Sequence, residues 1–406
     1  MLPILYEDDI LYFKKTSFSK IKINDLIVFQ KKNKIICHRV IYKTQKYIIT
    51  KGDNNPKSDG KIYLRQILGK VYQVKRNGQI FKPETLYLIQ STHYFSEIVK
   101  IKKAFDKEKI NYVFLKGLPL HLYFEGKHPQ RIYADCDVLI DKKDFQKAQN
   151  ILFKFGYQKA DLHWSKQVKK LQRQELEITF YKKFNSFIVA LDIHLQLVEL
   201  SIVHLGHFNN LYFQKLIDDL TKEFLKNKKR VKILNENFLI LNTNYLILYL
   251  ALHLFHHNFK GAFRYEFLNQ VIKKTKKLNE TLTKVQDDIE KYKLNNFVYP
   301  VFYLLKKHYQ TPLPNNFLSQ IKPSNFLNLK LYNFRNFNIF DDETRIQAGI
   351  HRFLNLFLLS PNPWWKKILV FFNFQVIAAV LWSVYKKINS TILLKIKIKK
   401  TLEIKT

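Results

Sequence analysis

In the run RIYADCDVLID (residues 131–141) two aspartates, Asp135 and Asp137, stand two positions apart inside an otherwise apolar segment. Side chains on a strand alternate between faces, so both acids share one face and Cys136 takes the other. Two adjacent carboxylates repel each other unless a cation lies between them. Hard oxygen ligands with room for phosphate oxygens and water are what a Mg²⁺ site needs. The later run FIVALDIHLQL (187–197) has a related design. Phe187, Val189, Leu191, Ile193 and Leu195 form one face, and Asp192 and His194 the other. A strand that spends a buried-looking position on an acid must compensate its charge.

The surrounding pattern places these strands in an α+β chain of three parts. Up to about Gln79, short runs rich in Ile, Val and Tyr alternate with polar turns such as KKNK and KGDNNPKSDG, which predicts a small all-β domain. From Glu84 to Lys109 the apolar period becomes helical, and the boundary falls near Pro83. Between Asn111 and about Leu200 strands and helices alternate: YVFLKG precedes a helix, and Lys143–Phe155 is an amphipathic helix stopped by Gly156. Beyond Tyr212 the chain reads as helical, with Tyr245–His257 apolar nearly all round and therefore buried. The expected division is 1–83, 84–210 and 211–406, the middle part holding an α/β core with a mixed sheet.

Composition narrows the partners. The chain carries 69 Lys and Arg against 33 Asp and Glu, a formal charge of +36, yet the basic residues are scattered rather than gathered into a patch. That balance favours an anionic small substrate over a specific nucleic-acid partner. Cys37 and Cys136 are far apart and lack CxxC companions, which excludes a disulfide framework and a structural zinc site and points to a reducing cytoplasm. No signal peptide is read at the start, where Glu7, Asp8 and Asp9 follow closely on Met1. Ile368–Tyr385 carries no charge and is flanked by Trp364, Trp365, Lys386 and Lys387, but holds Asn373, Gln375 and Ser383. It reads as a buried or surface-lying helix rather than a membrane span, with peripheral membrane contact expected through 364–387.

Taken in order, LKGLPLHLYF (115–124), RIYADCDVLI (131–140), a helix ending in FGY (155–157) and ALDIHLQL (190–197) resemble an uncharacterised bacterial nucleotidyltransferase family of the DNA polymerase β-type superfamily. The resemblance covers about half the chain. It implies that Asp135 and Asp137 hold one or two Mg²⁺ ions and the triphosphate. Asp192 would complete the metal site and help deprotonate an acceptor hydroxyl. Lys116, Gly117 and Arg131 would contact the nucleotide, Arg131 bracing the triphosphate or pairing with Asp135. Apart from the resemblance, His194 shares the face of Asp192 and is either its supporting partner or a buried histidine bonded to a backbone carbonyl. The implied reaction moves a nucleoside monophosphate from a nucleoside triphosphate to a hydroxyl of a peptide, protein or small molecule. Lys116 and Gly117 stand where the superfamily more often has Gly-Ser, which bears on the nucleotide pose and leaves the carboxylates in place.

A second resemblance lies in MLPILYEDDILYFKK (1–15), KINDLIVF (22–29), HRVI (38–41) and ITKGDNNPKSD (49–59), which are similar to type I signal peptidases of the archaeal and endoplasmic-reticulum kind. It implies that His38 is a general base and that Asp53 or Asp59 orients it. The family's serine would precede Met1. Ser17 and Ser19, coming after the first strand, do not replace it. As the sequence stands this is a peptidase-shaped module without its nucleophile, whose remaining role is to bind a peptide along a strand edge. A non-catalytic partner-binding protein and a peptidase fusion truncated at its start are the alternatives. His253 and His257 share a helical face, but Leu, Tyr and Phe around them favour a packed core helix over a metal pair. The nucleotidyltransferase resemblance makes this region a helical substrate-side element and implies that Arg264 faces the cleft.

Overall fold

The computed structural model describes residues 5–374 and 377, except 54, 130, 132, 134, 161–175, 185–186, 202–207 and 324–336. It is a mixed α+β chain with two sheets. The first is built from β1 (Ile10–Lys14), β2 (Leu26–Lys31), β3 (Lys34–Lys43), β4 (Ile48–Lys51), β5 (Lys61–Ile62), β6 (Ile67–Arg76) and β7 (Gln79–Phe81). Their order is β1-β6-β2-β3-β4-β5, with β7 also on β6 and every pairing antiparallel. Alternation along β2 buries Leu26 and Val28 on one face and Ile27 and Phe29 on the other. The β6–β7 hairpin closes through Asn77 and Gly78 at φ 48° and 80°, the paired positive φ that Asn-Gly supplies.

Pro83 opens α1 (Pro83–Lys107), where its missing N–H costs no helical bond. The second sheet contains β8 (Tyr112–Lys116), β9 (Asp135–Ile140), β10 (Gln158–Lys159), β11 (Glu177–Phe184), β12 (Phe187–His194), β13 (Lys228–Ile233) and β14 (Glu236–Leu241). The order is β10-β11-β12-β9-β8-β14-β13, and it is mixed: β9 runs antiparallel to β8 and parallel to β12. Between these strands come α2 (Leu118–Glu125), α3 (Phe145–Lys154) and α4 (Gln214–Lys226). Gly156 at φ 80° follows α3 and turns the chain out of it. The β13–β14 hairpin lies where the sequence reading expects helices. Period-two burial of Val231, Ile233, Phe238 and Ile240 explains why this stretch joins the sheet.

The helices that follow are α5 (Thr243–His256), α6 (Ala262–Lys273), α7 (Leu278–Lys291), α8 (Asn295–Tyr309), α9 (Asn315–Gln320), α10 (Arg345–Leu359) and α11 (Trp364–Ile368). Buried on nearly all sides, α5 packs against α6, α7 and α8 and shares one apolar core with the second sheet. The first sheet docks on this helical part through Tyr42. Its hydroxyl donates to the His308 carbonyl at 2.7 Å, and its ring meets Phe340 at 4.9 Å. Asp341 accepts hydrogen bonds from the Ser58 N–H at 2.9 Å and hydroxyl at 2.7 Å.

Among the described residues no helix is long and apolar enough to cross a membrane. The apolar run expected as one helix from 368 to 385 is broken early. After α11 a 3₁₀ turn covers Leu369–Phe372 and Asn373 is extended, while 375, 376 and everything from 378 onward lie outside the described residues. Met1–Ile4, the start of the peptidase-like run, also lies outside them.

Candidate metal and nucleotide site

The site is a row of side chains at one level of the second sheet. Register is shifted between Phe114 and Lys116, a bulge that brings Lys116 opposite Asp137 on β9. Asp137 pairs with Asp192 on β12, and Asp192 with Thr179 on β11. Directly opposed residues in a sheet point to the same face. Lys116, Asp137, Asp192 and Thr179 therefore form a continuous polar line across four strands. Asp135, one step along β9, completes a trio with Asp137 and Asp192 whose ligand atoms all lie within 4.8 Å of one another. Among the described residues this is the one His, Cys, Asp and Glu cluster with spacing that could hold a metal ion.

Charge is managed unevenly within the trio. The Lys116 ammonium lies 2.6 Å from Asp137 Oδ2 and 3.2 Å from Asp135 Oδ2, and the Asp137 side chain is only 4% exposed while that of Asp135 is 46% exposed. His194 Nε2 sits 2.9 Å from Asp137 Oδ1. Burial alone would raise the Asp137 carboxyl, but Lys116 and His194 outweigh it and hold it below its usual value. Burial would likewise lower His194. The charge of Glu177, its cross-strand partner, and the bond to Asp137 instead lift it to about 9. Asp192 goes the other way. Burial and the neighbouring charges of Asp137 and Glu177 push it up to about 7, against a 2.6 Å hydrogen bond from the Thr179 hydroxyl.

The residues present fit a divalent cation. Three carboxylates converge, burial and neighbouring acids raise the pKa of one of them, and a cation arriving there would displace its proton. Gly117 has a structural duty that its sequence position does not reveal. It sits at φ 111°, and a Cβ there would lie 2.9 Å from Cys136 Sγ, so only glycine lets the β8–α2 turn close on β9. Arg131 is not the ion-pair partner of Asp135, a position that Lys116 takes. Its guanidinium stacks 4.8 Å from the Tyr133 ring centroid and 4.4 Å from that of Phe263. Glu177 and Thr179 were not anticipated, although EITFY (177–181) carries the period-two signal of a strand.

The remaining candidates separate cleanly. On the first sheet His38 Nδ1 lies 2.7 Å from Asp59 Oδ2, which also accepts the Thr50 hydroxyl at 2.8 Å. Asp53 belongs to Arg39 instead, in a two-pronged pair at 2.7 Å each. Ser17 and Ser19 lie on an exposed turn, their hydroxyls 3.2 Å apart. His253, His256 and His257 are held well below the usual value by burial, in keeping with neutral core rings. His256 is fixed by Arg352, which also donates to the Ser201 carbonyl at 2.8 Å. Cys37 and Cys136 are free thiols.

A convergent carboxylate trio on adjacent strands, backed by a lysine and a histidine, is a donor set suited to a divalent cation. The chain matches the family described as uncharacterised nucleotidyltransferase over residues 71–310, more than half of its length, and belongs to that family. The matched span takes in the whole carboxylate row and leaves most of the first sheet outside it. Among solved structures, an antigenic nucleotidyltransferase-like protein from Paracoccidioides brasiliensis is similar at 10% identity and a TM-score of 0.26, over 52% of this chain and 91% of that one. So loose a likeness places no residues. No curated protein matches the chain.

Proposed function

We propose that the chain is a Mg²⁺-dependent nucleotidyltransferase that moves a nucleoside monophosphate from a nucleoside triphosphate to an acceptor hydroxyl. The observation that carries this is the Asp135, Asp137 and Asp192 trio with its ligand atoms within 4.8 Å. Asp135, Asp137 and Asp192 would hold the ion, which supplies charge neutralisation for the attacking and leaving oxygens. The acceptor oxygen attacks the α-phosphorus, the bond to the bridging oxygen breaks, and pyrophosphate leaves. Asp192, beside the acceptor oxygen, would receive the hydroxyl proton. Thr179 aims Asp192, and His194 fixes Asp137. Lys116 shares Asp137 with the cation and offers its charge to phosphate. The test is incubation with each α-labelled nucleoside triphosphate, Mg²⁺ and lysate. Label should pass to an acceptor with the native chain and not with Asp135→Ala; no transfer from any nucleotide would favour a binding protein.

A second reading concerns the first sheet. The His38–Asp59–Thr50 chain supports a serine-peptidase-like module that binds a peptide segment, with no nucleophile supplied by Ser17 or Ser19. A serine-directed phosphonate probe should leave it unlabelled, and His38-dependent labelling would overturn this. A third is peripheral membrane contact, favoured by Trp364 and Phe372 at 72% and 76% exposure beside Lys366. Failure to sediment with anionic vesicles at low salt would remove it.

A further inference from the structure

Between the first sheet and the helical part lies a cleft of about 1970 Å³, well above the roughly 300–1,000 Å³ of common small-molecule sites. Lys20, Lys22 and Lys46 line it from the first sheet, and Lys127, Arg131 and Lys273 from the opposite wall. Phe263 also lines it, and this ring is 43% exposed. The guanidinium of Arg131 lies 4.4 Å from the Phe263 centroid, and that of Arg264 lies 4.4 Å from the same ring. Two like charges thus share one aromatic side chain. The acids whose charge reaches Arg264 are Asp342 on the cleft wall and Asp135 and Asp137 in the carboxylate row.

The backbone beside Arg264 is held by a glycine. Gly261, at φ 106°, caps α6, and a Cβ at that position would strike the Arg264 guanidinium at Nη1. Its N–H is tied to the Ile339 carbonyl at 2.9 Å, which fixes the backbone at the start of this helix. Burial pushes Arg264 down to about 10, against the opposing charges of Asp342, Asp135 and Asp137. Arginine forks match tetrahedral oxyanions, and an aromatic face holds the guanidinium plane in position for them.

We infer that Arg131, Phe263 and Arg264 form a phosphate subsite between the cleft and the carboxylate row. The bound phosphate comes either from the triphosphate tail or from a phosphorylated acceptor lying in the cleft. That choice of source, but not the subsite itself, rests on the nucleotidyl-transfer reading.

The experiment is calorimetric titration of the full chain with pyrophosphate in the presence of EDTA. The native chain should bind, Arg264→Met and Arg131→Met should each weaken binding at least tenfold, and Arg264→Lys should recover part of the loss. Thermal melts establish that the variants are folded. Unchanged affinity in both Met variants overturns the subsite. So does an equal loss in Lys273→Met, because that would mean diffuse attraction by a basic wall. A second arm uses an α,β-methylene triphosphate with Mg²⁺. Weakening of triphosphate but not monophosphate by Arg264→Met assigns the subsite to the tail; unchanged triphosphate affinity assigns it to the acceptor. Should the native chain show arginine-dependent pyrophosphate binding without Mg²⁺-dependent nucleotide binding, the transferase reading fails and the subsite stands.

Discussion

His194 reaches Asp137 at 2.9 Å from a buried position, so the imidazole, with Lys116 on the other oxygen, sets which way that carboxylate faces. His194→Ala should leave the fold intact by circular dichroism and weaken Mn²⁺ affinity about 10- to 100-fold, the usual scale for partners that orient ligands. His194→Gln, which keeps a donor, should recover part of it; equal affinity in all three proteins would deny the role. At this scale the site was legible wherever alternation applies: Asp135 with Asp137, and Asp192 with His194, follow from period two alone. Arg264 was expected at the cleft on resemblance. What the sequence could not decide was pairing in space. Asp53 and Asp59 are equally placed along the chain, and only the fold sends one to Arg39 and the other to His38. For Gly117 the sequence suggests a phosphate contact, and the fold adds that its missing Cβ leaves room for Cys136.

Strand β9 and the β8–α2 turn meet at that glycine. Gly117→Ala combines a left-handed φ with a Cβ 2.9 Å from sulfur, and should cost about 1–3 kcal/mol, seen as a lower melting temperature. An unchanged melt would show that the turn relaxes freely. Near the start of α10, burial would raise Glu343, but hydrogen bonds from His351 and Asn258 and the charge of Lys260 outweigh it and keep it below its usual value. A lowered folded-state pKa adds stability above the unfolded value and loses it as pH falls through the folded one. Stability measured by denaturant from pH 6 downward should therefore fall less steeply in Glu343→Gln than in the native chain. Parallel slopes would contradict this. Elements were legible where periodicity was long, as in α3 and α5. The β13–β14 hairpin and β11 were missed because short runs with basic outer faces, such as KKRVKI, resemble helix and loop composition as much as strand.

The first sheet meets the helical part at an aromatic contact, Tyr42 with His308 and Phe340, and a polar one, Ser58 with Asp341. Tyr42→Ala should cost about 3 kcal/mol or more by the lost packing, and should separate melting into two transitions, the first sheet unfolding earlier; a single unshifted transition would mean that the halves hold together without it. No period or motif announced this docking, because it depends on residues 266 positions apart. Nor did any announce the cleft that it encloses. The carboxylate row is the centre on which the rest turns, and it can be tested without knowing the acceptor. Titrating the full chain with Mn²⁺ under electron paramagnetic resonance, with an α,β-methylene triphosphate present, should show ion uptake by the native chain. Asp137→Asn should lose that uptake while keeping its fold. Equal Mn²⁺ uptake by the two proteins would contradict the account.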